Sequence, residues 1–113
     1  MRKIDEVLRE ILAEEIGLLK DPRIGFVTVT GVETAPDLRH ASVFYSVLGE
    51  PEEVAATGEA LQHAAPRLQA RVAAQVRMKY TPRLEFHVDP SIAHGARMSQ
   101  LLRELHVDED ETP

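Results

Sequence analysis

The sequence has no cysteine in its 113 residues, and aromatic residues make up only 4% of it. Without cysteine the chain can form no disulfide, no thiolate nucleophile and no cysteine-ligated zinc or iron–sulfur centre. Its five histidines also lack the spacing of metal ligands, which favours ordinary surface or half-buried histidine. The composition therefore predicts a protein with no metal and no cofactor.

Long apolar runs are absent as well. Hydrophobic residues make up 43% of the chain and charged residues 28%, which is typical of a soluble globular domain. Residues 1–6 lead into an amphipathic pattern with acids in its first turn, and a signal peptide does not have this pattern. We expect one cytoplasmic domain at residues 1–106, followed by a disordered acidic tail at residues 107–113.

Acidic residues are missing from residues 60–84, although the chain as a whole carries a formal charge of −6. By contrast, residues 1–59 hold 6 Lys and Arg against 12 Asp and Glu, and residues 104–113 hold none against 5. A basic segment between two acidic ones favours a polyanionic partner. The cations of this segment are Arg67, Arg71, Arg77, Lys79 and Arg83.

The spacing of apolar residues predicts an α+β fold in the order αββααβα, with a three-stranded sheet. Two runs rich in Val, Thr, Phe and Tyr flank a turn-forming segment, which indicates an antiparallel hairpin. The predicted elements are a helix at residues 4–20, strands at 25–33 and 38–48, helices at 51–65 and 66–76, a strand at 83–89 and a helix at 89–105.

Pro66 lies inside the region of the second and third predicted helices. Proline lacks the N–H of a helical hydrogen bond and its ring clashes with the preceding turn, yet Leu68 and Val72 keep the helical spacing beyond it. We therefore expect a pair of helices joined by a kink at Ala64-Ala65-Pro66.

Two stretches of the sequence resemble the motifs of one protein family. They are Asp21-Pro22-Arg23-Ile24-Gly25-Phe26-Val27-Thr28-Val29-Thr30, and the set Asp89, Ser91, Gly95, Arg97 and Met98 in the pattern D-x-S-x(3)-G-x-R-M. With these motifs the chain resembles the bacterial ribosome-binding factor A family from its first helix to about Leu105. The resemblance implies a KH-like fold of the second type. It also implies a non-enzymatic protein that binds the small ribosomal subunit late in its maturation. This role is expected to matter most in the cold.

The chain departs from this family pattern at the junction of the paired helices. KH domains usually join these helices with G-x-x-G, which this sequence lacks. The resembled family has a sequence similar to Ala-x-Gly at this junction, where this chain has Ala64-Ala65-Pro66. Proline removes a backbone donor at that position. Neighbouring cations would then have to hold any RNA.

The helix after Pro66 carries the main candidates for RNA contact. Arg67 and Arg71 are like charges at i and i+4, opposite the apolar face, and a bound anion would relieve their repulsion. Alternatively, they cover apolar surface or reach acids distant in sequence. Tyr80 could stack on an unpaired base or pack at a turn, and Arg23 is expected to brace its loop. The predicted RNA-binding residues are Arg67, Arg71, Arg77, Lys79, Arg83 and Arg97.

Two other classes of function compete with an RNA-binding one. A small enzyme could use His87 with Asp89 or Glu85 as acid and base, although alternating polar residues on a strand often give such a group. A protein-interaction adaptor could use the acidic ends of the chain on a basic ribosomal protein. We predict a monomeric factor in ribosome biogenesis and rRNA processing. Its expected partners are small-subunit ribosomal RNA and the free 30S subunit, with ribosomal proteins or maturation GTPases as further candidates and no membrane.

Overall fold

The computed structural model describes residues 2–89, so the predicted last helix, the tail at residues 107–113 and Arg97 lie outside the described residues. The elements are α1 (Lys3–Gly17), β1 (Phe26–Thr34), β2 (His40–Leu48), α2 (Pro51–Gln75) and β3 (Arg83–Val88). The strands form one sheet in the order β1-β2-β3, with β1 and β2 antiparallel and β2 and β3 parallel. This arrangement confirms the predicted α+β class and the three-stranded sheet. Within residues 2–89, no helix is long and apolar enough to cross a membrane.

Helix α1 forms because one face is apolar and its first turn is acidic. Leu8, Leu12 and Ile16 are buried at the helical spacing. Asp5 lies in the first turn, where a carboxylate interacts favourably with the helix dipole. Its Oδ1 also accepts hydrogen bonds from the backbone N–H of Thr34 at 3.1 Å and from the Thr34 hydroxyl at 2.6 Å. These bonds fix the start of α1 against the end of β1.

The sheet buries one face, as the alternation in β2 predicts. Ala41, Val43 and Tyr45 are buried, and they share one core with Leu12 of α1 and Leu68 of α2. Strand β3 continues this face, since Ala41 pairs with Leu84 and Val43 with Phe86. Both helices therefore contribute to a single core against the same face of the sheet.

The hairpin between β1 and β2 turns through residues 35–39. Leu38 adopts a φ of 61°, which side chains other than glycine rarely adopt, and its N–H donates to the Ala35 carbonyl at 2.9 Å. The register shifts between Val29 and Gly31, where a bulge adds one residue to β1. The turn places Arg39 immediately before β2.

Helix α2 is one uninterrupted helix of 25 residues, and the predicted division into two helices at Pro66 is wrong. The side chains of Glu50 and Glu53 cap its start reciprocally, and Pro51 occupies the first turn. Leu61 and Leu68 are buried on either side of Pro66, in the same core. Burial on both sides favours one helix, because each buried leucine contributes about 1.5–3 kcal/mol and a proline inside a helix costs about 3 kcal/mol.

Candidate nucleic-acid interface

The structure places the cations of the acid-free segment in different surroundings, not in one continuous stripe. Arg67 and Arg71 lie on α2, Arg77 and Lys79 lie in the connection between α2 and β3, and Arg83 begins β3. All five residues are exposed.

Arg67 lines a groove of about 550 Å³ between α2 and the loop that follows α1. Lys20, Arg23 and His63 line the same groove. Neither Arg67 nor Lys20 forms an ion pair with any residue of the described part of the chain. The groove thus presents two cations that are available to an anion.

Arg23 contributes less positive charge to this groove because it is bound to Asp21. Its Nη2 lies 2.8 Å from Asp21 Oδ2, and its backbone N–H donates to Asp21 Oδ1 at 2.9 Å. These hydrogen bonds lower the pKa of the Asp21 carboxyl to about 2. Arg23 Nη2 also lies 3.4 Å from Nδ1 of His63 on α2. The expected bracing role of Arg23 agrees with this geometry.

Arg71 reaches an acid that is distant in sequence, which was the alternative to phosphate contact. Its Nε donates to Glu15 Oε2 at 3.2 Å, and Gln75 Nε2 donates to Glu15 Oε1 at 2.9 Å. The Glu15 side chain is only 11% exposed, whereas that of Arg71 is 53% exposed. Arg71 therefore joins α2 to α1 and offsets the charge of a nearly buried carboxylate.

Arg77 and Lys79 line a second pocket, of about 560 Å³, between the β1–β2 turn and the end of α2. Tyr80 and Arg39 belong to the same pocket. The Arg39 guanidinium carbon lies 4.5 Å from the centre of the Tyr80 ring, and Lys79 Nζ lies 5.6 Å from it. The pocket combines three cations with an aromatic ring that is partly exposed. Its apolar wall is formed by Ile4, Leu38 and Met78.

Arg83 lines a third groove, of about 570 Å³, between α2 and β3. Ala65 and Pro66 line this groove too, whereas Ala64 lines the Arg67 groove on the other side of α2. The predicted junction at Ala64-Ala65-Pro66 thus separates two grooves, and Pro66 is exposed.

The residues of the alternative enzyme hypothesis are poorly arranged for acid–base catalysis. His87 Nε2 lies 3.9 Å from Glu85 Oε2, which is too far for a hydrogen bond, and both side chains are half exposed. Asp89 accepts a hydrogen bond from the Thr30 hydroxyl. No group of three or more potential metal ligands occurs within residues 2–89.

Sequence reasoning missed two cations, Arg39 and Lys20. Arg39 lies 41 residues before Tyr80 and in an acidic part of the chain, so no local pattern connects the two. The connection depends on strand pairing, because the Arg83 N–H donates to the Arg39 carbonyl at 2.8 Å and so places the start of β3 beside the hairpin turn. The position of Lys20 after the first helix gave no separate signal.

A small α+β domain with cations in three surface grooves and a tyrosine ring in one of them has features that are typical of nucleic-acid-binding proteins. Residues 1–102 match the family model described as ribosome-binding factor A. A relative named ribosome-binding factor A from Rubrobacter xylanophilus is 51% identical over 107 residues, which cover 92% of this chain and 85% of the relative. The chain therefore belongs to the ribosome-binding factor A family.

Solved structures give the same result. The crystal structure of ribosome-binding factor A from Thermus thermophilus is 39% identical with a TM-score of 0.68, and the match covers 75% of this chain and 91% of that one. A homology model of the Thermus thermophilus factor, fitted into a cryo-EM map of its complex with the 30S subunit, is 38% identical with a TM-score of 0.64. That match covers 76% of this chain and 91% of the other. Since this family is one of binding factors, membership confirms the prediction that the protein is not an enzyme.

Proposed function

We propose that this chain is an assembly factor that binds the maturing small ribosomal subunit through its ribosomal RNA. The observation that carries the proposal is the similarity to the Thermus thermophilus factor that was fitted into a complex with the 30S subunit. The chain would act late in subunit maturation and assist rRNA processing, with the greatest effect in the cold. It would work as a monomer in the cytoplasm, through a KH-like domain and without a cofactor.

The distribution of charge supports RNA as the contacted component. Arg67, Arg77, Lys79 and Arg83 are exposed, and none of them forms an ion pair within residues 2–89. Phosphate contacts by such cations release counterions and supply much of the affinity for nucleic acid. The net charge of −6 on the whole chain would repel RNA from the other surfaces and so orient the domain as it docks.

A cosedimentation experiment tests this proposal. A purified 30S subunit from cells lacking the factor is incubated with the wild-type chain or with a double variant, Arg67→Ala with Lys79→Ala, and is separated on a sucrose gradient. We expect the wild type to migrate with the 30S subunits. The double variant should lose affinity and show a salt slope that is lower by roughly 1.4–1.8, since each phosphate contact contributes about 0.7–0.9.

Lys3→Ala is the matched control, because Lys3 is an exposed cation at the start of α1, outside the three grooves. The control should bind the subunit with the affinity and salt slope of the wild type. Absence of the wild-type chain from the small-subunit fractions would overturn the proposal. Equal losses in the control and the double variant would remove the grooves from the interface.

A further inference from the structure

We infer that the pocket around Tyr80 holds one unpaired nucleotide of RNA, with its base stacked on the Tyr80 ring and its phosphate held by Arg77 and Lys79. This inference rests on the proposed function and specifies what one groove recognises. The pocket is defined by Tyr80, the cations Arg39, Arg77 and Lys79, and the apolar wall of Ile4, Leu38 and Met78.

The chemistry of the lining fits a nucleotide in two separate parts. The aromatic ring and the apolar wall suit the flat, weakly polar face of a base, whereas the cations suit a phosphate. Tyr80 is 46% exposed, so its ring is not buried in the core. A purely structural tyrosine in this fold has a different environment, as Tyr45 shows with an exposure of 4%.

The charges around the pocket favour an anionic ligand over a basic peptide. Among the described residues that line it, three are cations and Asp37 is the one acid. Asp37 Oδ1 already accepts the backbone N–H of Arg39 at 3.0 Å. Arg39 in turn lies over one face of the Tyr80 ring, so the base would stack on the opposite face of the ring. A positively charged peptide would meet the repulsion of all three cations.

The volume of about 560 Å³ accommodates a single nucleotide, but a stacked duplex presents no free base face to the ring. Stacking on an aromatic side chain also depends little on base identity, because every base has a π-face. The pocket should therefore recognise single-stranded RNA of any sequence, in contrast to the Arg67 groove, in which no Phe, Tyr or Trp occurs among the lining residues within 2–89.

The test compares two probes that differ only in their bases. One is a short single-stranded RNA of mixed sequence with a fluorescent label, and the other is an abasic oligonucleotide of the same length and charge. Anisotropy titrations of the full chain should show the RNA binding roughly 5- to 150-fold more tightly than the abasic probe, which corresponds to stacking of one base. Tyr80→Ala should lower the affinity for the RNA probe alone, so that the two probes bind equally. Tyr80→Phe should keep the difference in affinity between the probes.

Lys79→Ala is the matched variant for the phosphate part of the pocket, and it should weaken both probes by the same factor. Tyrosine fluorescence provides a readout that requires no substitution, because the chain contains only two tyrosines and Tyr45 is buried. Stacking should quench the Tyr80 emission with RNA and not with the abasic probe. Thermal unfolding of each variant verifies that it remains folded.

Equal affinity of the wild type for RNA and the abasic probe would overturn the inference, and so would an unchanged ratio in Tyr80→Ala. In either case the cosedimentation with 30S subunits decides the proposed function separately. If the wild type migrates with subunits and the base makes no difference, the factor binds rRNA through phosphates alone. If the wild type does not migrate with subunits at all, the proposed function is refuted, whatever the affinities for the two probes.

Discussion

Arg67 and Arg71 are one helical turn apart, yet the structure predicts opposite consequences for their removal. Arg67 lines an open groove with no ion pair inside residues 2–89, whereas Arg71 binds the nearly buried carboxylate of Glu15. Arg67→Ala should therefore weaken subunit binding and leave stability almost unchanged. Arg71→Ala should destabilise the fold and leave the salt dependence of binding unchanged.

The size of each effect follows from the contacts. A hydrogen bond to a charged group contributes about 1.5–3 kcal/mol, and the half-exposed position of Arg71 reduces this to about 1–2 kcal/mol. For a domain of this size the loss corresponds to a decrease in Tm of roughly 4–8 °C. Exposed Arg67 should change stability by less than about 0.5 kcal/mol, while the loss of one phosphate contact lowers the salt slope by about 0.7–0.9.

Thermal unfolding and subunit binding at several salt concentrations measure the two effects independently. A double-mutant cycle of Arg71→Ala with Glu15→Gln isolates the ion pair, and its coupling energy should be about 1 kcal/mol or more. The reasoning is refuted if Arg71→Ala lowers the salt slope without lowering Tm. It is also refuted if Arg67→Ala lowers Tm as much as Arg71→Ala does.

Two further predictions concern stability and ionisation. Pro66→Ala should raise Tm by several degrees, because a proline inside an uninterrupted helix destabilises it by about 3 kcal/mol. The stabilisation that proline provides by restricting the unfolded chain is smaller, at about 0.4–1 kcal/mol. A lower Tm of the variant in thermal unfolding would mean that the fold needs the local geometry of proline. The Asp21 carboxyl should titrate near pH 2 by NMR, and Arg23→Ala should return its pKa towards 3.8. Since the folded pKa is depressed, the stabilisation is complete above about pH 4 and is lost as the pH falls towards 2. A pKa that does not change in Arg23→Ala would assign the depression to another group.

Local patterns were sufficient to predict the elements of this fold where neighbouring residues decide the structure. Alternation in β2 identified its buried face, and the spacing of Leu8 and Leu12 identified α1, because period and burial are properties of consecutive residues. The same reasoning failed at Pro66, where the local cost of proline is outweighed by burial of Leu61 and Leu68 in one core. That burial is a tertiary property.

The candidate site was predictable in the same limited sense. The sequence by itself determined the family, through motifs that consecutive residues carry, and a basic segment without acids, because charge composition can be counted along the chain. Only the tertiary structure decided which cations remain available. It paired Arg71 with Glu15, 56 residues away, and brought Arg39 over Tyr80. The physical reason is that ion pairs and ring contacts depend on distance in space, which helix packing and strand pairing set and sequence separation does not.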